Sequence, residues 1–466
     1  MTRVLMIPTA RATFAVDVAA ERAASARQVV EGLGGEVVGP ESLVMNDDDV
    51  AAAQHFLDDD YDVILHVCAS FCDAAPAQRL YANVTTPVVM WSFREPGPVG
   101  DRLWLNSLCG ANLMAHALVR DGRQVRLIYG DPGEAGVADA IADLLAGQYP
   151  AAPGLPGAQG EPAGDDVVDA ALQTLGGQAI GAIGDAPTGF TPSQYDGELL
   201  ERLFGFGVAR LDLDTMFDDI ENTSEQRRVE ELDAALEWQP SLAESGADNL
   251  MQFAAVTASL REWQQKTGVA ALAVRCWPEF PTKLHACPCS SLSRLADEGV
   301  PTQCERDVYG AATMLLMEAL GAGTTYLVDT VDLDSQRNLV RFWHCGAAAT
   351  SLAADAHHAT QALHCNRKIG VAGNFALKPG RVVAARLTED PGTGGLRLLI
   401  AGGESIAAPN RFQGNTADVV MDADATTFVN SLVTGGFPHH TVLAWTDVRP
   451  GLRAVAERLS IPVIEF

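Results

Sequence analysis

The sequence predicts an α/β protein with two doubly wound α/β domains followed by a C-terminal antiparallel β-barrel-like domain. Short β-branched apolar runs alternate with helical patterns through residues 1–345, which is typical of parallel sheets covered by helices. Beyond residue 348 the strands alternate in character and are joined by Gly-rich turns, a composition that suits a small antiparallel barrel or sandwich. A chain of 466 residues is also too long for a single ordinary core.

The first α/β domain is predicted to span residues 1–160. Because connections between parallel strands need a crossover, the helical patterns between its apolar runs favour a parallel sheet. No GxGxxG motif follows the first run, so dinucleotide binding is not expected. The Pro- and Gly-rich segment 149–166 is interpreted as a linker or surface loop. The five strands of this domain are expected at 3–8, 35–39, 62–68, 87–91 and 124–129.

The second α/β domain is predicted at residues 161–347 and is expected to carry the carboxylates of a metal site. Its strands are expected at QAIGAIG (178–184), VARLDLD (208–214), VAALAVRC (269–276) and TTYLVDT (324–330). The mainly-β domain is predicted to cover residues 348–466 and to close with a last helix and strand.

The charge balance restricts the classes of partner. With 32 Lys and Arg against 60 Asp and Glu, the formal net charge is −28, which repels phosphate backbones and anionic lipid surfaces. Nucleic acid and membranes are therefore not expected as partners.

The first ten residues, MTRVLMIPTA, lack the features of a signal peptide, and no run of 18 apolar residues occurs, so a cytoplasmic protein is expected.

The nine cysteines do not form an obvious disulfide framework. Four of them, Cys276, Cys287, Cys289 and Cys304, are close enough in sequence to raise a zinc site, but their spacing lacks the paired CxxC motifs of structural zinc. Reduced, partly buried thiols are the favoured interpretation.

Several polar side chains next to apolar or Gly-rich backbone are candidates for chemistry. Taken singly, each has a structural explanation: Glu305 could interact with a helix dipole, Asp329 could end a strand, and His344 could be a hydrogen-bonded core histidine. Asp332 and Asp334 are expected to be solvated. The adjacent His439 and His440 are more informative, because neighbouring side chains of a strand point to opposite faces and at least one must face inward.

Taken together, these residues indicate a metal site. Two carboxylates with one or two histidines form a hard oxygen and nitrogen ligand set that suits Mn²⁺, Mg²⁺ or Co²⁺. No GxSxG motif is present and no cysteine has an obvious base beside it in sequence, so covalent catalysis is not indicated. The ligand set instead favours Lewis-acid chemistry combined with proton transfer.

The ordered motifs WPEF, CERDVYGA, GTTYLVD, WHCG and GGFPHHT resemble the L-fucose isomerase and L-arabinose isomerase superfamily of aldose–ketose isomerases. The resemblance covers roughly residues 270–445. In the first half it is weaker, in WSFREP, NSLCGANL and IGAIGDAPTGF. The resemblance implies an enzyme that interconverts an open-chain aldose and its ketose through an enediolate, with a bound divalent cation such as Mn²⁺, Mg²⁺ or Co²⁺.

The resemblance also implies roles for particular residues. Glu305 and Asp329 fall on the positions of the two carboxylates that bind the metal and transfer protons. Asp332 and Asp334, a few residues further along, are the alternative matches for the second carboxylate. His440 falls on the shared histidine ligand. His344 matches a further histidine ligand of the arabinose isomerases, and could bind the metal or support a ligand. Asp307 is expected to be a supporting hydrogen-bonding group.

Substrate contacts are predicted at His439, Trp91 and Arg94. Arg94 could meet an anionic substituent, although an ion pair with Glu95 or another neighbour is the competing interpretation. Fucose-type, arabinose-type and modified hexoses all remain open as substrates.

The resemblance further implies a homo-oligomer, often a hexamer whose site is completed by an adjacent subunit. The alternatives are a non-catalytic sugar-binding protein and a metal-dependent sugar epimerase or lyase.

Overall fold

A computed structural model describes residues 1–355 and 359–466. Its first sheet contains five parallel strands in the order β2-β1-β3-β4-β5, as the alternation of apolar runs and helical patterns predicts. The strands are β1 (Arg3–Thr9), β2 (Glu36–Val38), β3 (Val63–Cys68), β4 (Val88–Ser92) and β5 (Val125–Tyr129). The helices of this part are α1 (Val16–Gly32), α2 (Asp47–Gln54), α3 (Ala75–Tyr81), α4 (Ser107–Arg120) and α5 (Ala135–Leu145).

Helix α4 is the central element of this part. Every residue from Ser107 to Leu118 is buried, because the helix packs against strands of the first sheet on one side and elements of the C-terminal sheet on the other. A helix that is apolar on all sides can be stable only in such an enclosed position.

The second sheet has four parallel strands in the order β7-β6-β8-β9. They are β6 (Ala179–Ile183), β7 (Gly207–Leu211), β8 (Ala271–Val274) and β9 (Thr302–Gln303). The sequence does not predict β9, which has only two residues and is too short to show a periodic pattern. The helices are α6 (Asp165–Leu175), α7 (Gly197–Phe204), α8 (Leu213–Glu221), α9 (Glu225–Trp238), α10 (Ala247–Thr267), α11 (Glu279–Lys283), α12 (Cys289–Asp297) and α13 (Val308–Ala319).

The third sheet has eight strands in the order β14-β17-β11-β10-β18-β15-β16-β19, with a further pairing between β16 and β17. The strands are β10 (Tyr326–Asp334), β11 (Leu339–His344), β14 (Phe375–Ala376), β15 (Gly380–Glu389), β16 (Leu396–Ile406), β17 (Asn415–Met421), β18 (His440–Ala444) and β19 (Val463–Glu465). A separate hairpin pairs β12 (Gln361–Leu363) with β13 (Val371–Gly373), and two helices follow, α14 (Ala425–Thr434) and α15 (Arg449–Arg458).

The prediction of an α/β protein with parallel sheets is confirmed, but the C-terminal sheet is mixed rather than purely antiparallel. Strands β14 and β19 join it in parallel, whereas the six strands between them pair antiparallel. The β16–β17 pairing depends on Gly403, since a Cβ atom there would lie 2.7 Å from the backbone oxygen of Val420.

Two strands of this sheet lie before the predicted domain boundary at residues 347 and 348. Strand β10 pairs with β18, and β11 pairs with β17, so the large sheet combines residues from both sides of that boundary. The sequence pattern of a strand shows which side chains share a face but not which strand pairs with it, so the sequence does not predict this pairing.

Among the described residues, no helix combines the length and the apolar character that crossing a membrane requires.

Candidate active site

A cavity lies where strand ends from all three sheets converge. Arg11 follows the end of β1, Trp277 follows β8, and Glu305 follows β9. The third sheet contributes Asp329 from β10 and His344 from the end of β11. In parallel sheets, the carboxyl ends of strands are where ligands usually bind.

Glu305 is held in an unusual backbone conformation. Its φ is +59° and that of the following Arg306 is +58°, so two consecutive residues with side chains occupy the left-handed region. This conformation costs free energy and is typically retained where it positions a functional group. Trp277 Nε1 donates a hydrogen bond to Glu305 Oε1 at 3.2 Å, and Ser193 Oγ donates to the Glu305 backbone oxygen at 2.5 Å. The strained turn therefore fixes the direction of the Glu305 carboxylate.

Asp329 and His440 meet across a strand pair. They are direct partners in the antiparallel β10–β18 register, and Asp329 Oδ1 lies 3.5 Å from His440 Nε2. Glu305 Oε2 lies 3.2 Å from the same His440 nitrogen and 3.4 Å from His439 Nε2. The structure therefore brings four of the predicted site residues together around a small space.

Asp307 supports His440 from the other side of the imidazole ring. His440 Nδ1 donates to Asp307 Oδ2 at 2.8 Å, and Arg386 donates to both oxygens of Asp307 at 2.5 and 2.9 Å. Asp307 and Arg386 are fully buried. When Nδ1 carries the proton of this hydrogen bond, Nε2 can offer its lone pair to the space between Glu305 and Asp329.

The two central carboxylates differ in acidity. Burial raises the pKa of Asp329 to about 6, although the nearby His439 and His440 oppose the shift. Burial also disfavours the charged form of Glu305, but the imidazoles of His439 and His440 beside the carboxylate outweigh that effect and hold the pKa of Glu305 well below its usual range. Two neighbouring carboxyl groups whose pKa values are pushed apart are suited to separate proton-transfer roles.

The donor set fits a hard divalent cation. Asp329, His344 and His440 each present a ligand atom within 4.8 Å of the others, as do Glu305, His439 and His440. Asp329 Oδ1 and His440 Nε2 are buried and form no hydrogen bond with any residue in the described ranges, so both are free to act as ligands. Glu305, Asp329 and His440 could hold such a cation, and His344 could complete the set.

A group of thiols borders the same cavity. Cys289 Sγ and Cys345 Sγ are 3.8 Å apart, with His364 nearby, and Cys304 lies close to Cys345 and His344. All nine cysteines are free, and eight of them are buried rather than partly buried. The thiols could bind a soft cation, but the carboxylates and imidazoles beside them provide the harder ligands.

Two predicted substrate-binding residues lie away from this cavity. Trp91 is fully buried in the core of the first sheet, where Nε1 donates to the Gly130 backbone oxygen at 2.9 Å. Arg94 forms an ion pair with Glu134 at 2.6 Å and donates to the Leu333 backbone oxygen. Their predicted contact with substrate has no support from the geometry of this chain. The pairing of Arg94 with a neighbouring acid is confirmed, although the partner is Glu134.

The three aspartates of β10 have different surroundings, and one of them lines the cavity. Asp332 contacts Tyr129 and forms an ion pair with Arg341, and Asp334 accepts hydrogen bonds from the backbone of the following turn. Neither Asp332 nor Asp334 lines the cavity, so within the part of the chain that the structure describes Asp329 is the β10 carboxylate at the site.

Sequence reasoning missed Arg386 and the role of Trp277. Arg386 interrupts the apolar run VVAARL of β15, and a charge in the middle of a buried strand is a signal that a buried partner exists. Trp277 lies in the WPEF motif, but the sequence gives no indication that its indole contacts Glu305.

Comparison with known proteins agrees with this geometry. Residues 342–466 match the family model described as "L-fucose isomerase, C-terminal domain". A sulfoquinovose isomerase of Alkalicoccus urumqiensis is 33% identical over 470 residues, covering 100% of both chains. Sulfoquinovose isomerases of Priestia megaterium and a Clostridium species are 32% and 28% identical, and each match covers at least 98% of both chains.

The comparisons and the arrangement of the motifs lead to the same conclusion. A match of this identity over the whole length excludes a chance resemblance of a few motifs. The chain belongs to the L-fucose isomerase-like family of aldose–ketose isomerases and is an intramolecular oxidoreductase.

Proposed function

We propose that this enzyme converts sulfoquinovose, a glucose derivative with a sulfonate at C6, into the corresponding 2-ketose. The observation that carries the proposal is full-length similarity to several proteins named sulfoquinovose isomerase, combined with a cavity in which two carboxylates and two histidines converge. An aldose–ketose isomerase must move a proton from C2 to C1 of the open-chain sugar and a second proton between the two oxygens.

Glu305 and Asp329 are proposed to divide these two proton transfers. Both line the cavity, and both lie within 4 Å of a histidine nitrogen that can balance a changing charge. One carboxylate takes the C2 proton and returns it to C1, and the other transfers the hydroxyl proton. His439, fully buried beside Glu305, is proposed to contact the sugar.

A divalent cation, with Mn²⁺ as the first candidate, is proposed to bind Glu305, Asp329 and His440, with His344 as the fourth residue. When bound, it would supply positive charge beside the C1 and C2 oxygens, where negative charge develops as the C2 proton leaves. The chain itself contributes the orientation of these groups. The strained turn fixes Glu305, the strand register places Asp329 opposite His440, and Asp307 holds the ring of His440.

A 6-deoxy aldose of the fucose type is the second candidate substrate, because the C-terminal part of the chain matches the L-fucose isomerase model. The test is a panel containing sulfoquinovose, L-fucose, L-arabinose and glucose, with Mn²⁺ added and ketose formation measured. Sulfoquinovose is expected to be converted with the highest kcat/KM. Faster conversion of a neutral sugar would contradict the proposed substrate, and full activity after exhaustive chelation would contradict the proposed cation.

A further inference from the structure

The cavity that holds the carboxylates also contains two guanidinium groups. Arg11 and Arg367 both line it, and both are partly buried. Neither forms an ion pair with a carboxylate anywhere in residues 1–355 and 359–466. In a chain with a formal net charge of −28, acidic partners are abundant, and many of its other arginines are paired with one.

Arg11 is positioned by the aromatic wall of the cavity. Its guanidinium carbon lies 4.3 Å from the ring centroid of Trp277, a stacking distance for a cation on an indole. Its backbone N–H donates to Ser70 Oγ at 3.0 Å, which anchors the loop after β1. Since Trp277 Nε1 also donates to Glu305, a single indole separates this guanidinium from the proton-transfer carboxylate.

Arg367 lies on a turn that a histidine holds in place. His364 Nδ1 accepts the backbone N–H groups of Asn366 at 3.2 Å and Arg367 at 3.3 Å. Asn366 also lines the cavity, and its buried Oδ1 has no hydrogen-bond partner among the described residues. The orientation of such an amide is set by what it binds, so Asn366 can turn its NH₂ group toward a ligand.

These groups have the chemistry of an anion site. A guanidinium is weakly hydrated and presents several N–H donors in a planar fork, which suits tetrahedral oxyanions. Burial raises the pKa of Asp73, and the charge of Arg11 opposes that shift, but Asp73 is not within ion-pair distance of Arg11. Leaving two guanidinium groups partly buried without an anion costs free energy, which a bound anion would recover.

We propose that Arg11 and Arg367, assisted by Asn366, bind the sulfonate of the substrate and set the preference of the enzyme for a sugar with an anionic C6. In an open-chain hexose the reacting C1 and C2 lie at one end and C6 at the other. The same cavity is lined by Glu305 and Asp329, the proposed reaction centre, and by the two arginines, which we assign to the anionic end of the sugar. This inference rests on the proposed function, because it takes the sulfonate from the proposed substrate.

Binding is tested separately from turnover by using sugar alcohols, which cannot be isomerised. Isothermal titration calorimetry compares 6-deoxy-6-sulfoglucitol, 6-deoxyglucitol and glucitol 6-phosphate for the parent enzyme and for Arg11→Gln, Arg367→Gln and Arg411→Gln. Arg411 is the matched control, because it is also partly buried and stacks on an aromatic ring, 4.6 Å from Phe412, but lines a different depression.

The parent enzyme is expected to bind the sulfonated alcohol at least tenfold more tightly than 6-deoxyglucitol. Arg11→Gln and Arg367→Gln should each weaken binding of the sulfonated alcohol roughly ten- to a hundredfold, as expected for a lost charged hydrogen bond, and should leave 6-deoxyglucitol unchanged. Arg411→Gln should keep the parent preference.

The outcomes separate this inference from the proposed function. No preference for the sulfonate in the parent, a preference that survives both cavity variants, or tighter binding of the phosphate would overturn the inference. A preference that depends on Arg11 and Arg367, in an enzyme that does not convert sulfoquinovose, would support the anion site and contradict the proposed reaction.

Discussion

Asp329 and His440 face each other across two antiparallel strands, with 3.5 Å between Asp329 Oδ1 and His440 Nε2. Because side chains alternate along a strand, a register shift of one residue would move one of them to the opposite face. The position of the site is therefore determined by the pairing of β10 with β18, two strands that are far apart in sequence. Glu305 reaches the same point from a third strand end in a different sheet.

Replacing the central carboxylates tests their proposed role. Glu305→Gln and Asp329→Asn keep the size of each side chain but remove the group that can accept a proton. We expect each to lower kcat about 10²–10⁴-fold, the range that general acid–base catalysis contributes. Ketose formation is measured for each variant, with circular dichroism to verify folding. Asp334→Asn is the control on the same strand and should keep parent activity, whereas turnover within a few-fold of the parent in either test variant would refute the assignment.

Asp307 is predicted to position His440 rather than to react. Asp307→Asn removes the charge that orients the imidazole and leaves Arg386 without its partner. Mn²⁺ affinity, measured by calorimetry, should fall about 10–100-fold, as is typical when a group that supports a metal-binding histidine is lost. Asp418→Asn is the control, since Asp418 is also buried and is bound through both oxygens by Arg341. Equal Mn²⁺ affinity in the two variants would show that the role of Asp307 is only structural.

Gly310 is predicted to be required for the buried ion pair. A Cβ atom at this position would lie 3.0 Å from Arg386 Nη1, Asp307 Cγ and Gln303 Oε1, which is too close without movement of the pair. Gly310→Ala should therefore destabilise the protein by about 1–3 kcal/mol. Gly136→Ala, in α5 with nothing within 4 Å of the new methyl group, should be neutral or stabilising. Thermal denaturation of both variants provides the comparison, and equal midpoints would contradict this account.

Glu318 gives the enzyme a predicted pH dependence of stability. Burial raises the pKa of Glu318 from 4.5 to about 7, although a hydrogen bond from Thr325 opposes the shift. The folded state therefore holds this proton more tightly than the unfolded state does. As pH rises from 4.5 to 7, the contribution of Glu318 to the free energy of unfolding becomes less favourable, and the folded protein becomes less stable.

Glu318→Gln removes this pH-dependent penalty. The variant should be more stable than the parent by about 3 kcal/mol at pH 8, and most of the difference should be lost by about pH 4.5. Melting temperatures at both pH values test this, with Glu201→Gln as an exposed helical control. A stability difference that does not change with pH would rule out the assigned ionisation.

Much of the fold could be predicted from the sequence, because hydrophobic periodicity directly encodes buried faces. The five strands of the first sheet were placed within one or two residues. Strand β9 was not predicted because two residues carry no period. The pairing of β10 and β11 with β18 and β17 was not predicted because partners are chosen by contacts that are distant in sequence.

The candidate site was predicted in part, for a related reason. Glu305, Asp329, His344 and His440 lie in motifs that the sequence shows directly, and the structure brings them together. Arg11 and Arg367 carry no motif, and their position in the cavity depends on loops from two different parts of the chain. Trp91 and Arg94 lie in a motif that resembles the family, but their side chains are bound within the first sheet and to Glu134.

The most direct test of the account follows sulfoquinovose by NMR in D₂O with Mn²⁺ present. We expect conversion to the 2-ketose with deuterium taken up at C1, because the transferred proton passes through a carboxylate that exchanges with solvent. Glu305→Gln and Asp329→Asn should each slow both ketose formation and deuterium uptake by about 10²–10⁴-fold. Ketose formed at the parent rate by either variant, or no ketose from sulfoquinovose while a neutral aldose is converted, would contradict the account.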